Sequence, residues 1–193
     1  MKKTIAVLPG DGVGPEVIEQ AIKILTKVGE KTNHEFTFYY GLIGAAAIEK
    51  TGSPLPDETL TLCQKADSIL FGAIGDPQYD LDPQAKVRPE QGLLRLRKSL
   101  DLFANLRPVK IYPELIDASP LKKEKVIGVD LVVVRELTGG IYFGEPRQRR
   151  DNGNTAIDTS IYTKQEVMRI AKMAFDLAGK RKRKVTSVDK ANV

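Results

Sequence analysis

This sequence predicts an α/β fold with a largely parallel sheet, on three observations. Short apolar runs of strand length alternate with segments of helical periodicity. Glycines and prolines punctuate the boundaries between them. The composition, 41% hydrophobic and 28% charged over 193 residues, is that of a globular chain long enough to bury a core without disulfide or metal staples.

Each element follows from its own residues. Ile5 to Leu8 is an apolar run closed by Pro9 and Gly10, as a buried strand would be. Pro15 then opens a helix, where its missing N–H costs nothing. Val17, Ile18, Ala21, Ile22, Leu25 and Val28 recur at helical spacing as one apolar stripe. Phe36 to Leu42 is strand-like. A helix is expected near Pro56-Asp57-Glu58, with acids against its positive end. Ser68 to Ile74 reads as another buried strand, and Gly75 to Pro89, with three prolines, as a loop. A helix is expected from about Gly92 to Asp101 and a strand from Val129 to Arg135. Asp151-Asn152-Gly153-Asn154 is a turn signal, and Thr155 to Thr163 is rich in β-branched residues. Thr163 stands three residues before Glu166, the spacing of a capping box, ahead of Val167, Ile170, Ala171 and Ala174. That helix ends in the run Lys180 to Lys184, where cations suit the negative end. Lys184 to Val188 reads as a last strand, and the chain stops soon after it at Val193. A parallel-sheet element ending this way predicts a fragment that lacks its next connection.

Composition narrows the chemistry. One cysteine, Cys63, excludes an intrachain disulfide, and one histidine, His34, leaves a structural zinc site short of ligands. Histidine-based hydrolysis would rest on His34 alone, which falls in a polar, solvent-facing loop. Cys63 falls on a helix as a small buried apolar group. Thirty basic against 25 acidic residues give a charge of +5, and the run Lys180 to Lys184 accounts for it (30 − 5 = 25). One basic run is a weaker nucleic-acid signal than a basic face, and there is no tryptophan for base stacking. No nucleic acid is therefore expected as a partner. No stretch reaches the length of a membrane span, and Ile5 to Leu8 is too short for a signal peptide. The expectation is a cytoplasmic protein with Cys63 reduced.

Three groups of residues could carry chemistry. Pro9-Gly10-Asp11-Gly12-Val13-Gly14-Pro15 follows a strand and opens a helix, as a dinucleotide fingerprint does. Its glycine spacing departs from that fingerprint, and a tight strand-to-helix turn explains it as well. Leu93, Leu94 and Arg97 share a helix face by their spacing. Arg107 precedes Pro108, and Arg135 ends an apolar strand. Three arginines gathered at strand ends would grip a di- or tricarboxylate, because each guanidinium can fork onto a carboxylate, while the leucines hold an apolar substituent. Taken singly, each arginine is also explained as a surface residue or ion-pair partner. Tyr142, among glycines, and Lys190, beside Asp189, can give and take protons if their surroundings allow.

Leu8-Pro9-Gly10-Asp11-Gly12-Val13-Gly14-Pro15-Glu16 resembles the opening of the β-decarboxylating dehydrogenases, the isocitrate/isopropylmalate dehydrogenase family. Arg88 to Lys98, Asp101 to Pro108, Val134 to Gly144 and Ser187 to Val193 are similar to its isopropylmalate branch. The resemblance implies an isopropylmalate dehydrogenase-like, two-domain α/β fold, truncated here at the C-terminus. Residues 1–100 would be the N-terminal part of the first domain. Residues 101–193 would be part of a second, dimerising domain, with a β-arm at 155–163. The implied activity is NAD-dependent oxidative decarboxylation of 3-isopropylmalate in leucine biosynthesis, by a homodimer. Under it, Arg97, Arg107 and Arg135 hold the malate carboxylates, and Leu93 and Leu94 receive the isopropyl group. Tyr142 protonates the enolate, and Lys190, given by the neighbouring subunit, helps take the hydroxyl proton. Glu90 and Pro77 approach the nicotinamide. Mg²⁺ or Mn²⁺ would be held by aspartates beyond Val193. Gly75-Asp76-Pro77-Gln78 departs from the branch, which leaves Asp76 without a role. A tartrate/malate or homoisocitrate dehydrogenase, or an inactive truncated product, remains the alternative.

Overall fold

The computed structural model describes residues 1–81 and 85–188. The chain divides into two compact units, Met1–Leu100 and Asp101–Val193. In the first, β1 (Lys2–Gly10) lies between β2 (Glu35–Tyr40) and β3 (Ser68–Ala73) and is parallel to both. Because strand side chains alternate, β1 serves two layers at once. Ile5 and Val7 pack with Ile18, Ile22 and Leu25 of α1 (Gly14–Thr32). Ala6 and Leu8 face the opposite way, into a cluster with Ile43, Leu55, Cys63 and Leu96. That second layer is built by α2 (Ala45–Thr51), α3 (Asp57–Lys65) and, after the short α4 (Pro77–Asp80), α5 (Pro89–Ser99). The chain therefore leaves β1 for β2 by way of α1 and goes from β2 to β3 by way of α2 and α3. The order β2-β1-β3 places the reversal between β1 and β3, the position at whose carboxyl ends α/β sheets generally take ligands.

The second unit is built differently. β4 (Ala104–Lys110) and β5 (Asp130–Glu136) form an antiparallel ribbon, separated in sequence by a 3-10 turn at Pro113–Ala118 and the one-turn α6 (Lys123–Val126). A second hairpin pairs β6 (Gln148–Arg150) with β7 (Thr155–Ile157), and α7 (Lys164–Gly179) packs on β5. The capping box at the start of α7 forms as its spacing requires: Thr163 Oγ1 accepts the Glu166 N–H at 3.2 Å, and the Thr163 N–H donates to Glu166 Oε2 at 2.6 Å. The Thr163 N–H, then the Thr163 hydroxyl at 2.8 Å, both donated to Glu166 Oε2, lower the Glu166 carboxyl from its ordinary value.

Several sequence expectations need correction. Lys184 to Val188 forms no strand: it is exposed, and no described strand pairs with it to replace water at its backbone groups. α5 begins at Pro89, three residues early, because Pro89 takes the first helical position and Gln91 Oε1 accepts the Arg88 N–H at 3.2 Å. The loop after β3 contains the turn of α4, nucleated where Asp76 Oδ1 accepts the Gln78 N–H at 3.0 Å. α2 and β4 were not foreseen. Ala45-Ala46-Ala47 carries no period to read, and Pro108 inside β4 argues locally against a strand. Val17 and Val28 of the α1 stripe are exposed, since Ile18, Ile22 and Leu25 are the residues that meet the sheet. His34 is half-buried, edge-on to Phe36, and Cys63 is buried.

Candidate functional site

The second unit brings three flagged residues together. Strand pairing sets Asn105 opposite Arg135 and Arg107 opposite Val133. Directly opposed residues share a face of a ribbon, as do residues two apart on one strand. Asn105, Arg107 and Arg135 therefore stand side by side on one face. Arg107 donates from Nε to Asn105 Oδ1 at 2.7 Å. Arg135 donates from Nη2 to the Tyr142 hydroxyl at 2.6 Å, with its guanidinium 5.7 Å from the centre of the ring. Two cations and a phenol hydroxyl on an open face have the chemistry to meet a carboxylate, since a guanidinium can fork onto one and a phenol can give a proton. Tyr142 sits in a tight turn in which the Gly144 N–H returns to Gly140 O at 2.9 Å. Sequence reasoning missed Asn105, although its place two residues before Arg107 on a strand was the available signal.

The first unit arranges its own set. Pro89, Gly92 and Leu96 are the buried side of α5. Glu90, Leu93, Leu94 and Arg97 follow one another at i, i+3, i+4 and i+7 on another face. Leu93, Leu94 and Arg97 are half-buried there, and Glu90 is exposed. Arg95 fixes the helix by donating to Leu55 O at 2.9 Å and pairing with Asp57 at 2.6 Å. The loop that carries Pro77 lies against the start of this helix. A Cβ built on Gly75 would stand 3.3 Å from Glu90 Oε1, and Arg88 Nη1 donates to Tyr79 O at 2.7 Å. Glu90 and Pro77 thus belong to one locality, although they are thirteen positions apart in sequence.

The glycine turn after β1 is the tight turn rather than a phosphate cradle. Asp11, 5% exposed, fills it. Its Oδ2 accepts the N–H groups of Ala45 and Gly75 at 2.9 and 3.0 Å, and its Oδ1 that of Ala46 at 3.0 Å. The turn's own N–H groups are used within the fold, that of Asp11 by Ala73 O at 2.8 Å and that of Gly14 by Asp11 O at 2.9 Å. Asp11 ties the first turn of α2 to the loop after β3, at the carboxyl ends of β1 and β3. Nearby, loss of water contact, then Glu49, Asp76 and Asp11, push the Tyr79 hydroxyl up from its ordinary value.

Lys190 lies outside the described residues. Among those described, no group of three or more His, Cys, Asp or Glu side chains is placed to hold a metal ion. No described helix is long and apolar enough to cross a membrane.

Residues 4–193 match the family model described as isocitrate/isopropylmalate dehydrogenase. The chain is 56% identical over 195 residues to the 3-isopropylmalate dehydrogenase of Priestia megaterium, covering 100% of this chain and 53% of that protein. It is 60% identical over 191 residues to the one from Geobacillus kaustophilus, covering 98% of this chain and 51% of that protein. The crystal structure of isocitrate dehydrogenase from Methylococcus capsulatus superposes with a TM-score of 0.73 at 29% identity, over 94% of this chain and 49% of that one. The chain spans about half the length of the curated relatives it matches.

Proposed function

The chain belongs to the isocitrate/isopropylmalate dehydrogenase family, and from that premise we propose that the whole protein oxidatively decarboxylates 3-isopropylmalate with NAD, in leucine biosynthesis. One observation carries the reading: Arg135 binds the Tyr142 hydroxyl while Arg107 shares its face of the ribbon. A carboxylate held by the two arginines sits beside a hydroxyl that accepts a hydrogen bond from one of them. That hydroxyl keeps its own proton to donate. By the family resemblance, Arg97 is a further carboxylate-binding residue, and Leu93 and Leu94, half-buried on its helix face, receive the isopropyl group.

NAD, when bound, accepts hydride from the hydroxyl-bearing carbon and leaves a β-keto acid. The chain's residues do the rest. The arginines hold the substrate carboxylates against diffusion and rotation. Loss of the β-carboxyl as carbon dioxide leaves an enolate, and Tyr142 donates a proton to its carbon. Lys190, from the neighbouring subunit, assists removal of the hydroxyl proton at the first step. Glu90 and the loop at Pro77 would border the nicotinamide of bound NAD. The family resemblance also implies Mg²⁺ or Mn²⁺, for which the described residues supply no ligand set. The segment 155–163 is proposed as the arm of a homodimer; within one chain its first residues pair with β6.

The test is a substrate panel on the complete reading frame that contains this sequence, read by NADH formation. Preference for 3-isopropylmalate is expected. Preference for isocitrate, homoisocitrate or tartrate would overturn the substrate assignment, because a polar substituent would then have to sit on Leu93 and Leu94. Deleting residues 155–163 should give monomers by light scattering, and an unchanged dimer would defeat the arm.

A further inference from the structure

We propose that Glu136 and Arg169 are positioning residues for Tyr142, a role that rests on Tyr142 as the proton donor. β5 ends in Arg135-Glu136, and strand alternation sends these two side chains to opposite faces. Arg135 holds the Tyr142 hydroxyl. The Glu136 side chain, 8% exposed, grips the backbone that leads to the same tyrosine. Its Oε2 accepts the N–H groups of Thr138 and Gly139 at 2.9 and 2.8 Å. Its Oε1 accepts the Thr138 hydroxyl at 2.7 Å and Arg169 Nη2 at 3.2 Å. The turn is pinned again one residue later, where the Gly140 N–H donates to Ile161 O at 2.8 Å. Gly140 has φ +69°, and a Cβ there would collide with the Tyr162 hydroxyl. Tyr142 follows two residues on, so little freedom is left between the clamp and the phenol.

Arg169 locks the clamp to the rest of its unit. It reaches from α7 to pair with Asp101 at 2.8 Å, lies 4.6 Å over the Phe103 ring and donates to the Thr138 hydroxyl. The residues before β4, the end of β5, the tyrosine turn and α7 thus meet at one guanidinium. A largely buried ion pair is a weak source of stability, because desolvation offsets its attraction. Arg169 Nε even lacks a hydrogen-bond partner among the described residues. What this cluster does fix is direction. With Glu136 on one face of β5 and Arg135 on the other, the phenol is held at its hydroxyl and through its backbone by adjacent residues of one strand. Misplacing a catalytic group by about 1 Å can cost on the order of 100-fold in rate.

The experiment uses the complete protein carrying ¹³Cζ-tyrosine, with the Tyr142 resonance assigned by Tyr142→Phe. Glu136→Gln should move that resonance without any substrate present, and Arg169→Lys should move it in the same direction. In turnover of 3-isopropylmalate, Glu136→Gln should lower kcat by roughly 10- to 100-fold with KM within about twofold. The double variant Tyr142→Phe/Glu136→Gln should turn over no more slowly than Tyr142→Phe alone, since the glutamate acts only through the tyrosine. An unmoved resonance, or losses that multiply in the double variant, would overturn the proposal. Should Glu136→Gln and Arg169→Lys both fail to fold by circular dichroism, Thr138→Val removes only the hydroxyl they share. A shift of the label then supports the clamp, and no shift overturns it. Absence of turnover in the wild type would sink the assigned function, while the label still decides the positioning.

Discussion

Among the described residues, the buried hydrophobic side chains belong to the Met1–Leu100 unit, apart from Val126 and Leu137. The Asp101–Val193 unit leaves Leu106, Val109, Leu131 and Val133 of its ribbon 46%, 40%, 46% and 47% exposed. In the first unit a parallel sheet is covered by helices on both faces, so strand residues of either parity find apolar neighbours. In the second, a two-stranded ribbon with α7 packed on β5 has less apolar area to bury, and such a ribbon is marginal by itself. Directional polar contacts tie both ends of the ribbon: Glu136 and Arg169 at one, and Arg181 paired with Asp130 at 2.6 Å at the other. The difference teaches where each kind of damage should register. Truncating core side chains of the first unit should cost stability, whereas small polar changes around Tyr142 in the second should cost function.

The largest effect expected is chemical. In the complete enzyme, Tyr142→Phe should lower turnover by roughly 10²–10⁴-fold, the range for a general acid, with substrate KM little changed. Rapid-mixing kinetics should still show hydride transfer to NAD. A variant that loses the hydride step would break the assignment of this unit to the proton. Next comes the core. Leu8 and Leu55 are fully buried, and either one replaced by alanine should cost about 2–5 kcal/mol in urea unfolding. Val133→Ala on the exposed ribbon face should change stability by no more than about 0.5 kcal/mol. A large loss there would show that this face is covered in the whole protein, and the contrast between the units would dissolve.

A smaller effect is expected at the helix cap of the second unit. Thr163→Ala removes the acceptor for the Glu166 N–H and should cost about 0.5–2 kcal/mol, with faster hydrogen exchange in the first turn of α7. Unchanged exchange would mean that packing, not the cap, sets the start of α7. The smallest concerns pH. The Lys3 ammonium at 2.6 Å, then the Thr4 N–H and hydroxyl at 2.8 and 2.9 Å, lower the Asp67 carboxyl from 3.8 to about 2. A folded-state value below the unfolded one stabilises at higher pH, so the contribution is full above about pH 4 and is lost as pH falls toward 2. Asp67→Asn should flatten that part of the pH–stability curve. A curve of unchanged slope would place the acid sensitivity of the β1–β3 edge elsewhere.

Local patterns carried much of this protein. The run Ile5 to Leu8, the helical spacing after Pro15 and the Thr163–Glu166 box each specify an element because the forces involved act within a few residues. The same locality placed Leu93, Leu94 and Arg97 on one helix face. It could not show that Asp11 fills the glycine turn, because the three N–H groups it binds come from residues 34 to 64 positions away. Nor could it show that Asn105 stands opposite Arg135, since register is a property of two strands. A lysine-to-valine run such as Lys184 to Val188 has the composition of a strand, yet a strand exists only where a neighbour accepts its hydrogen bonds. The chain by itself determined which segments are strands in waiting, which helices have an apolar side and which residue types could meet a carboxylate. Tertiary structure alone decided the partners, because pairing, burial and the direction of a side chain depend on residues that are distant in sequence and adjacent only after folding.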